Sequence, residues 1–255
     1  MVILENIKYT RIKYNNEEVF AEYENGKYYI LDGSYFSGSA QRTGEVTEIA
    51  EILTPVWNNK IVAIGKNYSA HAAEMKEDVP TEPLMFLKPN TALLPHLKNI
   101  VMPEISKQVD YEAELAVVIG KTAKNIAAEE YKDYIFGYTC ANDVTARDLQ
   151  AKDKQWTRAK GFDTFLPIGP YIVKGVEAER LDIKLLLNGE VRQHSNTSSF
   201  IFGIREIVTA VARVMTLYPG DVILTGTPAG IGKMEKGDRV TVLIEDVGEL
   251  TNYVE

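Results

Sequence analysis

Three acidic residues stand at alternate positions beside an apolar run. They are Asp110, Glu112 and Glu114, and the run covers residues 115–119. An uninterrupted apolar run is typical of a strand buried on both faces, and alternation along a strand predicts that the three acids share one side. Buried unpaired charges are costly, so the pattern calls for protons or a cation, most simply a divalent ion. A strand end with hydrated acids is the alternative.

A histidine and a glutamate form the second group. Residues 69–76 predict a brief helix, on which His71 and Glu74 share a face. A carboxylate beside an imidazole orients the ring and favours its protonated form, which makes the histidine a stronger base for activating water. The alternative is an ordinary solvated pair on a surface helix.

The overall composition excludes several classes of protein. A net charge of −8 and a pI near 5.1 argue against a broad basic surface, so neither nucleic acid nor a membrane is expected as a partner. The single Cys140 excludes an internal disulfide framework. No N-terminal stretch has the layout of a signal peptide, and no apolar run approaches the roughly 20 residues of a membrane span. We therefore predict a soluble, cytoplasmic protein.

The elements that must position these groups are mostly short strands. Strands are predicted over residues 8–14, 19–23, 28–31, 60–64, 84–88, 99–102, 136–142, 222–225, 239–244 and 250–254, with a hairpin over 184–193. Asn25 and Gly26 predict a further tight hairpin turn. A break in the pattern places a boundary near residue 57, so we predict a small β-rich N-terminal domain over 1–57 and a main domain over 58–255.

Few helices accompany these strands. An amphipathic helix is predicted over residues 125–134, and a long one over 204–217 with Val214 among its buried positions. This balance predicts a strand-rich α+β fold and not a doubly wound one. The glycine-rich loop after residue 225 does not fit a nucleotide-binding fingerprint, because Met234 stands where a P-loop needs Ser or Thr. The loop is expected to shape the wall of a pocket.

Five ordered motifs resemble one known family. They lie at residues 65–74, 110–120, 142–150, 160–170 and 225–228. Together they resemble the fumarylacetoacetate hydrolase family over about residues 60–255, and five ordered motifs are far more specific than one. The resemblance implies a catalytic domain of the family's mixed β-sandwich roll type behind the small N-terminal domain.

The resemblance also implies a metal site. In the family the Glu-x-Glu pair and the Asp of the Asn-Asp motif bind Mg²⁺ or Mn²⁺, which here means Glu112, Glu114 and Asp143. Hard divalent cations prefer such oxygen ligands. Without the motif, Asp143 alone would be interpreted as a turn or helix-cap residue. Asp110 is expected to accept hydrogen bonds beside the site without binding the metal.

Catalytic roles follow from the same resemblance. His71 and Glu74 match the catalytic pair on a short mobile lid, and Lys160 matches an active-site lysine that supplies a fixed positive charge. The predicted substrate contacts are Arg147, Gln150, Lys88 and Thr227, the last two with lower rank. Arg147 would bind the substrate carboxylate or the lid. An ordinary ion pair between Arg147 and Asp148 is the alternative.

The expected activity is metal-dependent chemistry on a 2-oxo acid. The resemblance implies an enzyme that forms a metal-stabilised enolate. We expect hydrolysis of a carbon–carbon bond in an acylpyruvate or fumarylpyruvate, because the His71–Glu74 pair is intact. The alternatives are oxaloacetate decarboxylation and isomerisation of 2-hydroxyhepta-2,4-diene-1,7-dioate, and a structural metal-binding module is the non-enzyme alternative. The resemblance further implies a homodimer.

Overall fold

Strands dominate the computed structural model of the chain, which describes residues 6–74 and 78–255. The first ten strands are β1 Ile7–Tyr14, β2 Glu17–Glu24, β3 Lys27–Leu31, β4 Arg42–Thr47, β5 Glu51–Ile52, β6 Ile61–Gly65, β7 Leu84–Lys88, β8 Leu93–Leu94, β9 Asn99–Ile100 and β10 Val109–Tyr111. The others are β11 Ala113–Ile119, β12 Ile135–Asn142, β13 Thr145–Ala146, β14 Leu166–Lys174, β15 Asp182–Leu187, β16 Glu190–Asn196, β17 Val222–Leu224, β18 Gly232–Lys233, β19 Arg239–Ile244 and β20 Gly248–Val254. The α-helices are α1 Ser69–Glu74, α2 Arg147–Asp153, α3 Thr157–Lys160 and α4 Ile204–Val214. The strand-rich α+β class predicted from the sequence is confirmed.

The strands form one large sheet and two smaller ones. The large sheet runs β4-β3-β2-β1-β14-β12-β11-β17-β6-β7, with β5 paired to β1 and β8 to β14. A second sheet runs β16-β15-β19-β20-β9 and packs against β11, β12 and β14. The third, β13-β10-β18, is short. Strand β11 is therefore a central strand of the large sheet, and the second sheet covers one of its faces.

Alternation along β11 explains why every one of its residues is buried. Leu115, Val117 and Ile119 belong to the core on one face of the sheet. Ala116 and Val118 belong to a second core on the opposite face. A strand covered on both faces needs apolar residues at successive positions, which is the pattern in the sequence. The acidic residues at its start are thereby held on a rigid element.

The N-terminal strands extend the same large sheet. Strand β1 pairs antiparallel with β14, and β2 pairs with β3 across the predicted hairpin turn. Asn25 and Gly26 both have positive φ, 48° and 83°, as this two-residue turn requires. A separate domain over residues 1–57 stays a prediction. Within the described ranges no helix has the length and apolar character that crossing a membrane requires.

Two of the predicted helices differ in the structure. The segment 125–134 forms a 3₁₀ helix, Ala128–Tyr134, with none of its residues buried. Helix α4 ends at Val214, which is 64% exposed although we predicted its burial. Leu217 leaves the helix to exchange backbone hydrogen bonds of 2.9 Å with Ala123. Tertiary pairing thus overrides the helical pattern at this end.

Candidate active site

Three buried carboxylates meet at the start of β11. Glu112, Glu114 and Asp143 each offer an oxygen atom, and these atoms lie within 4.8 Å of one another. Strands β11 and β12 pair antiparallel with Ala113 opposite Asn142, so Asp143 comes directly beside the Glu-x-Glu segment. The backbone N–H of Asp143 donates to the carbonyl of Glu112 at 2.8 Å. The register of one strand pair therefore assembles the three acids.

A break between β10 and β11 gives Glu112 its position. We predicted one continuous strand, but Glu112 lies between two strands that belong to different sheets. Its N–H donates to Asn142 Oδ1 at 2.8 Å, and the next N–H, of Ala113, donates to Gln193 Oε1 at 2.9 Å. Side-chain oxygen atoms thus accept these two N–H groups in place of the backbone carbonyls of a neighbouring strand. Glu112 and Glu114 still lie together in the carboxylate cluster, and Asp110 is connected to Glu112 through Arg147.

Two buried lysines neutralise part of this charge. Lys160 Nζ donates to Glu112 Oε2 at 2.8 Å and to Asp143 Oδ2 at 2.6 Å. Lys88 Nζ donates to Asp143 Oδ1 at 2.6 Å. Burial lowers the pKa of Lys88, whereas Asp143 and Glu112 outweigh burial and raise the pKa of Lys160. Lys88 therefore supports the carboxylates, and its predicted contact with substrate stays a prediction.

Arg147 binds the other side of the cluster. Its Nε donates to Asp110 Oδ2 at 2.8 Å and its Nη1 to Gln150 Oε1 at 2.6 Å, while Nη2 donates to Glu112. Asp148 instead accepts from Ser106 and from the N–H of Lys107, so the Arg147–Asp148 ion pair that we kept as an alternative is not formed. As expected, Asp110 accepts hydrogen bonds beside the site.

Glu114 is the acid left without a cation. Among the described residues it has no ion pair, and its Oε2 accepts from the N–H of Gly226 at 2.6 Å. Burial, with Asp143 and Glu112 nearby, raises its pKa well above the ordinary value. Burial acts in the same direction on Glu112, but Lys160 and Arg147 hold the pKa of Glu112 well below its usual range. Glu114 is thus the acid of the cluster whose negative charge is least compensated, and it holds a proton more readily than an ordinary glutamate.

This donor set fits a divalent cation. Three carboxylates supply the oxygen ligands that hard cations prefer, and a bound cation would favour the ionised form of Glu114. The glycine-rich loop reaches the same place because Gly226 has a φ of 99°, and a Cβ added to this residue would lie 2.7 Å from Asn67 Cβ. The predicted role of this loop as a pocket wall agrees with its contact to Glu114.

The predicted His71–Glu74 pair forms and faces the cluster. His71 Nδ1 lies 3.2 Å from Glu74 Oε2, and Glu74 Oε1 accepts from the N–H of Gly230 at 3.0 Å. His71 is only 6% exposed. Helix α1 is described to Glu74, and the rest of the helix that we predicted to residue 76 lies outside the described residues. The glycine-rich loop therefore fixes the carboxylate that orients the histidine.

A cavity of about 630 Å³ brings most of the predicted residues together. Its lining includes His71, Glu112, Glu114, Asp143, Arg147, Gln150, Lys160 and Thr227. Glu74 and Lys88 do not line the cavity, but Glu74 contacts His71 and Lys88 contacts Asp143. The cavity thus contains carboxylates, a histidine and fixed positive charge on one surface.

Sequence reasoning assigned no role to several residues of the site. Trp156 and Phe86 form an apolar wall of the cavity, their ring centroids 5.0 Å apart. Gln193 is fully buried and donates to Thr227 Oγ1 at 2.9 Å, besides accepting from Ala113. Trp156 is an aromatic residue in a polar segment and Gln193 lies in a hairpin, and neither pattern in the sequence indicates a place in the site. Their roles depend on contacts between distant segments.

Comparisons with known proteins agree with this geometry. The fumarylacetoacetate (FAA) hydrolase C-terminal family matches residues 60–255. The mitochondrial oxaloacetate tautomerase FAHD2A of Bos taurus is 43% identical over 222 residues, covering 82% of this chain and 70% of that protein. The structure of 2-hydroxyhepta-2,4-diene-1,7-dioate isomerase from Mycobacterium marinum has a TM-score of 0.91 and 41% identity, covering 97% and 98% of the two chains. Fumarylpyruvate hydrolase from Pseudomonas aeruginosa, in complex with Mn²⁺ and pyruvate, has a TM-score of 0.75 and 34% identity, covering 82% and 92%.

The family match spans most of the chain, and the structural match to the isomerase spans nearly all of it. The resemblance inferred from the five motifs is therefore confirmed. Relatives of the chain are named as hydrolases, an isomerase and a tautomerase. These names argue against the alternative of a non-catalytic metal-binding module. The chain is an enzyme and belongs to the fumarylacetoacetate hydrolase family.

Proposed function

We propose that the enzyme interconverts the enol and keto forms of a 2-oxo acid with the help of Mg²⁺ or Mn²⁺. The observation that carries this proposal is that His71, in contact with Glu74, lines the same cavity as Glu112, Glu114 and Asp143. Relatives named as a tautomerase and an isomerase are 43% and 41% identical to this chain, which supports a proton shift as the reaction.

The carboxylate cluster would hold the divalent cation. A bound cation supplies a Lewis acid that draws electron density from the oxygen atoms of the substrate. Lys160 adds a fixed positive charge, because its pKa is raised by Asp143 and Glu112 and it stays protonated near neutral pH. It would stabilise negative charge that develops on the substrate oxygens.

The histidine would carry the proton. An ionised carboxylate only accepts hydrogen bonds, so the contact with Glu74 places the proton of His71 on Nδ1. The lone pair of Nε2 is then available to take the proton of the enol hydroxyl, and the imidazolium, stabilised by Glu74, returns a proton to the adjacent carbon to give the keto form. The reverse reaction takes the proton from this carbon and returns it to the oxygen. The hydrogen bond from Gly230 to Glu74 keeps this orientation.

Acylpyruvate hydrolysis, the activity expected from the sequence, is the second candidate. It is favoured by the likeness to a fumarylpyruvate hydrolase in complex with Mn²⁺ and pyruvate. In this reaction His71 Nε2 would take a proton from water, and the hydroxyl would add to the remote carbonyl carbon. The carbon–carbon bond would then break to release a carboxylic acid and the enolate of pyruvate, whose carbon takes the proton back from His71. Oxaloacetate decarboxylation requires no such base, and the intact His71–Glu74 pair therefore favours it less.

One experiment separates these reactions. The protein with Mg²⁺ or Mn²⁺ is mixed with enol oxaloacetate while ultraviolet absorbance follows the enol, and pyruvate release is measured from oxaloacetate and from acylpyruvates. Faster loss of the enol without pyruvate supports the proton shift, and pyruvate from acylpyruvates supports hydrolysis. We expect His71→Ala to lower the rate by about 100-fold or more, as is usual for loss of a general base. Glu112→Gln removes a carboxylate that would hold the cation and should also lower the rate strongly. The control is His194→Ala, an exposed histidine near Asp182, which should change nothing. Unchanged turnover in His71→Ala would refute the proposal.

A further inference from the structure

Helix α2 lines the cavity along one face. Arg147, Gln150, Ala151 and Lys154 all lie on the cavity wall. Their spacing of three, four and seven residues is that of one helical face. A helix rises 1.5 Å per residue, so Arg147 and Lys154 lie about 10 Å apart along its axis. The face thus leads from the carboxylate cluster to a second positive charge at the helix end.

Part of the cavity wall is apolar. Trp156, Phe86 and Ile64 contribute to it, with the Trp156 ring packed edge-on against Phe86. A Cβ on Gly65 would lie 2.7 Å from the Trp156 ring, so glycine at this position permits the tryptophan to pack there. An apolar wall in a cavity that also carries positively charged side chains suits the hydrocarbon part of a substrate with acidic groups.

Lys154 occupies an unusual position. It follows the last residue of α2 with a φ of 60°, a left-handed conformation in which glycine or asparagine is usual. The preceding acid, Asp153, accepts hydrogen bonds of 2.7 and 2.6 Å from Arg158. Within residues 6–74 and 78–255, the ammonium of Lys154 has no hydrogen bond or ion pair.

We propose that Lys154 binds the second carboxylate of a 2-oxo dicarboxylic acid and makes the enzyme prefer diacids to monoacids of equal length. The inference rests on the proposed function, because it requires the 2-oxo acid end of the substrate to lie at the carboxylate cluster. Arg147 already donates to Asp110, Glu112 and Gln150, so the second carboxylate finds its cation at the other end of α2. Because the lysine side chain is long and flexible, its ammonium can lie closer to the carboxylate cluster than its backbone does. Diacids with several carbons between the two carboxylates can therefore span the two sites.

Binding measurements test this without relying on turnover. Calorimetry on the Mg²⁺-loaded protein compares 2-oxoadipate with 2-oxohexanoate, which has the same chain but no second carboxylate, and uses oxalate as the probe of the cluster. We expect the wild type to bind the diacid about fivefold more tightly, the size of one partly exposed ion pair. Lys154→Met should abolish this preference and leave oxalate binding unchanged. Lys152→Met, a change at an exposed lysine of α2 outside the cavity lining, should preserve it.

A second variant distinguishes loss of binding from loss of folding. Lys154→Gly suits the left-handed backbone, so it should unfold at the same temperature or higher while losing the preference for the diacid. Equal affinities for the two ligands in the wild type, or a preference that persists in both variants, would overturn the inference and leave the proposed function intact. Failure of oxalate to bind the wild type would overturn the proposed function, and the inference with it.

Discussion

Replacing Glu114 by glutamine should stabilise the metal-free protein. Glutamine keeps the shape of the side chain and the acceptor for the N–H of Gly226, but it removes the charge that lies near Asp143 and Glu112. Leaving a buried polar group without full compensation costs about 1–3 kcal/mol, and more when the group is charged, so we expect the free energy of unfolding to rise by at least about 1 kcal/mol. For a domain of this size the unfolding temperature should rise by about 2–4 °C per kcal/mol.

The gain should depend on pH in a defined direction. The folded-state pKa of Glu114 is raised above its ordinary value of 4.5, so the folded protein holds this proton more tightly than the unfolded chain does. Stability from this group is complete below pH 4.5 and is lost as pH rises toward the folded-state pKa. The advantage of Glu114→Gln should therefore be small in acid and largest at neutral pH and above.

A divalent cation should reverse the order of stability. A ligand that binds only the folded state at 100 times its dissociation constant adds about 2.7 kcal/mol. The wild type should gain this from Mg²⁺, whereas Glu114→Gln lacks one of the three carboxylates and should gain little. The assay is urea unfolding with EDTA or with Mg²⁺, and Glu104→Gln, at an exposed site, is the control. A less stable metal-free variant, or one that gains as much from Mg²⁺ as the wild type, would refute the reasoning.

Three further predictions concern the supporting structure. Lys88→Met removes one of the two lysines that Asp143 contacts and leaves Lys160, so it should lower the free energy of unfolding by about 1–3 kcal/mol in urea titrations, whereas Lys236→Met at an exposed site should have no effect. Gly65→Ala should displace Trp156 and cost about 1–3 kcal/mol, with a changed tryptophan fluorescence spectrum; an unchanged spectrum would contradict the packing. We also propose a homodimer, so analytical ultracentrifugation should give twice the chain mass of 28.5 kDa, and a single-chain mass would count against it.

Local features of the fold follow from neighbouring residues in the sequence. The apolar run of β11 is buried on both faces because successive side chains enter two different cores. Asn25 and Gly26 close a hairpin because both accept positive φ. His71 and Glu74 meet because helical residues three apart lie on one face. Each of these depends on geometry that repeats within a few residues, so the sequence alone predicts it.

The assembled site depends on contacts between distant segments. Lys88 reaches Asp143 across 55 residues, and the N–H of Gly226 reaches Glu114 across 112. The motifs named the three acids, but they did not show that Glu112 would lie in a break between two sheets. Nor did they show that Arg147 would bind Asp110 and Glu112, or that helix α4 would end early because Leu217 pairs with Ala123. Strand register and close packing determine these contacts, and both arise only when the whole chain folds.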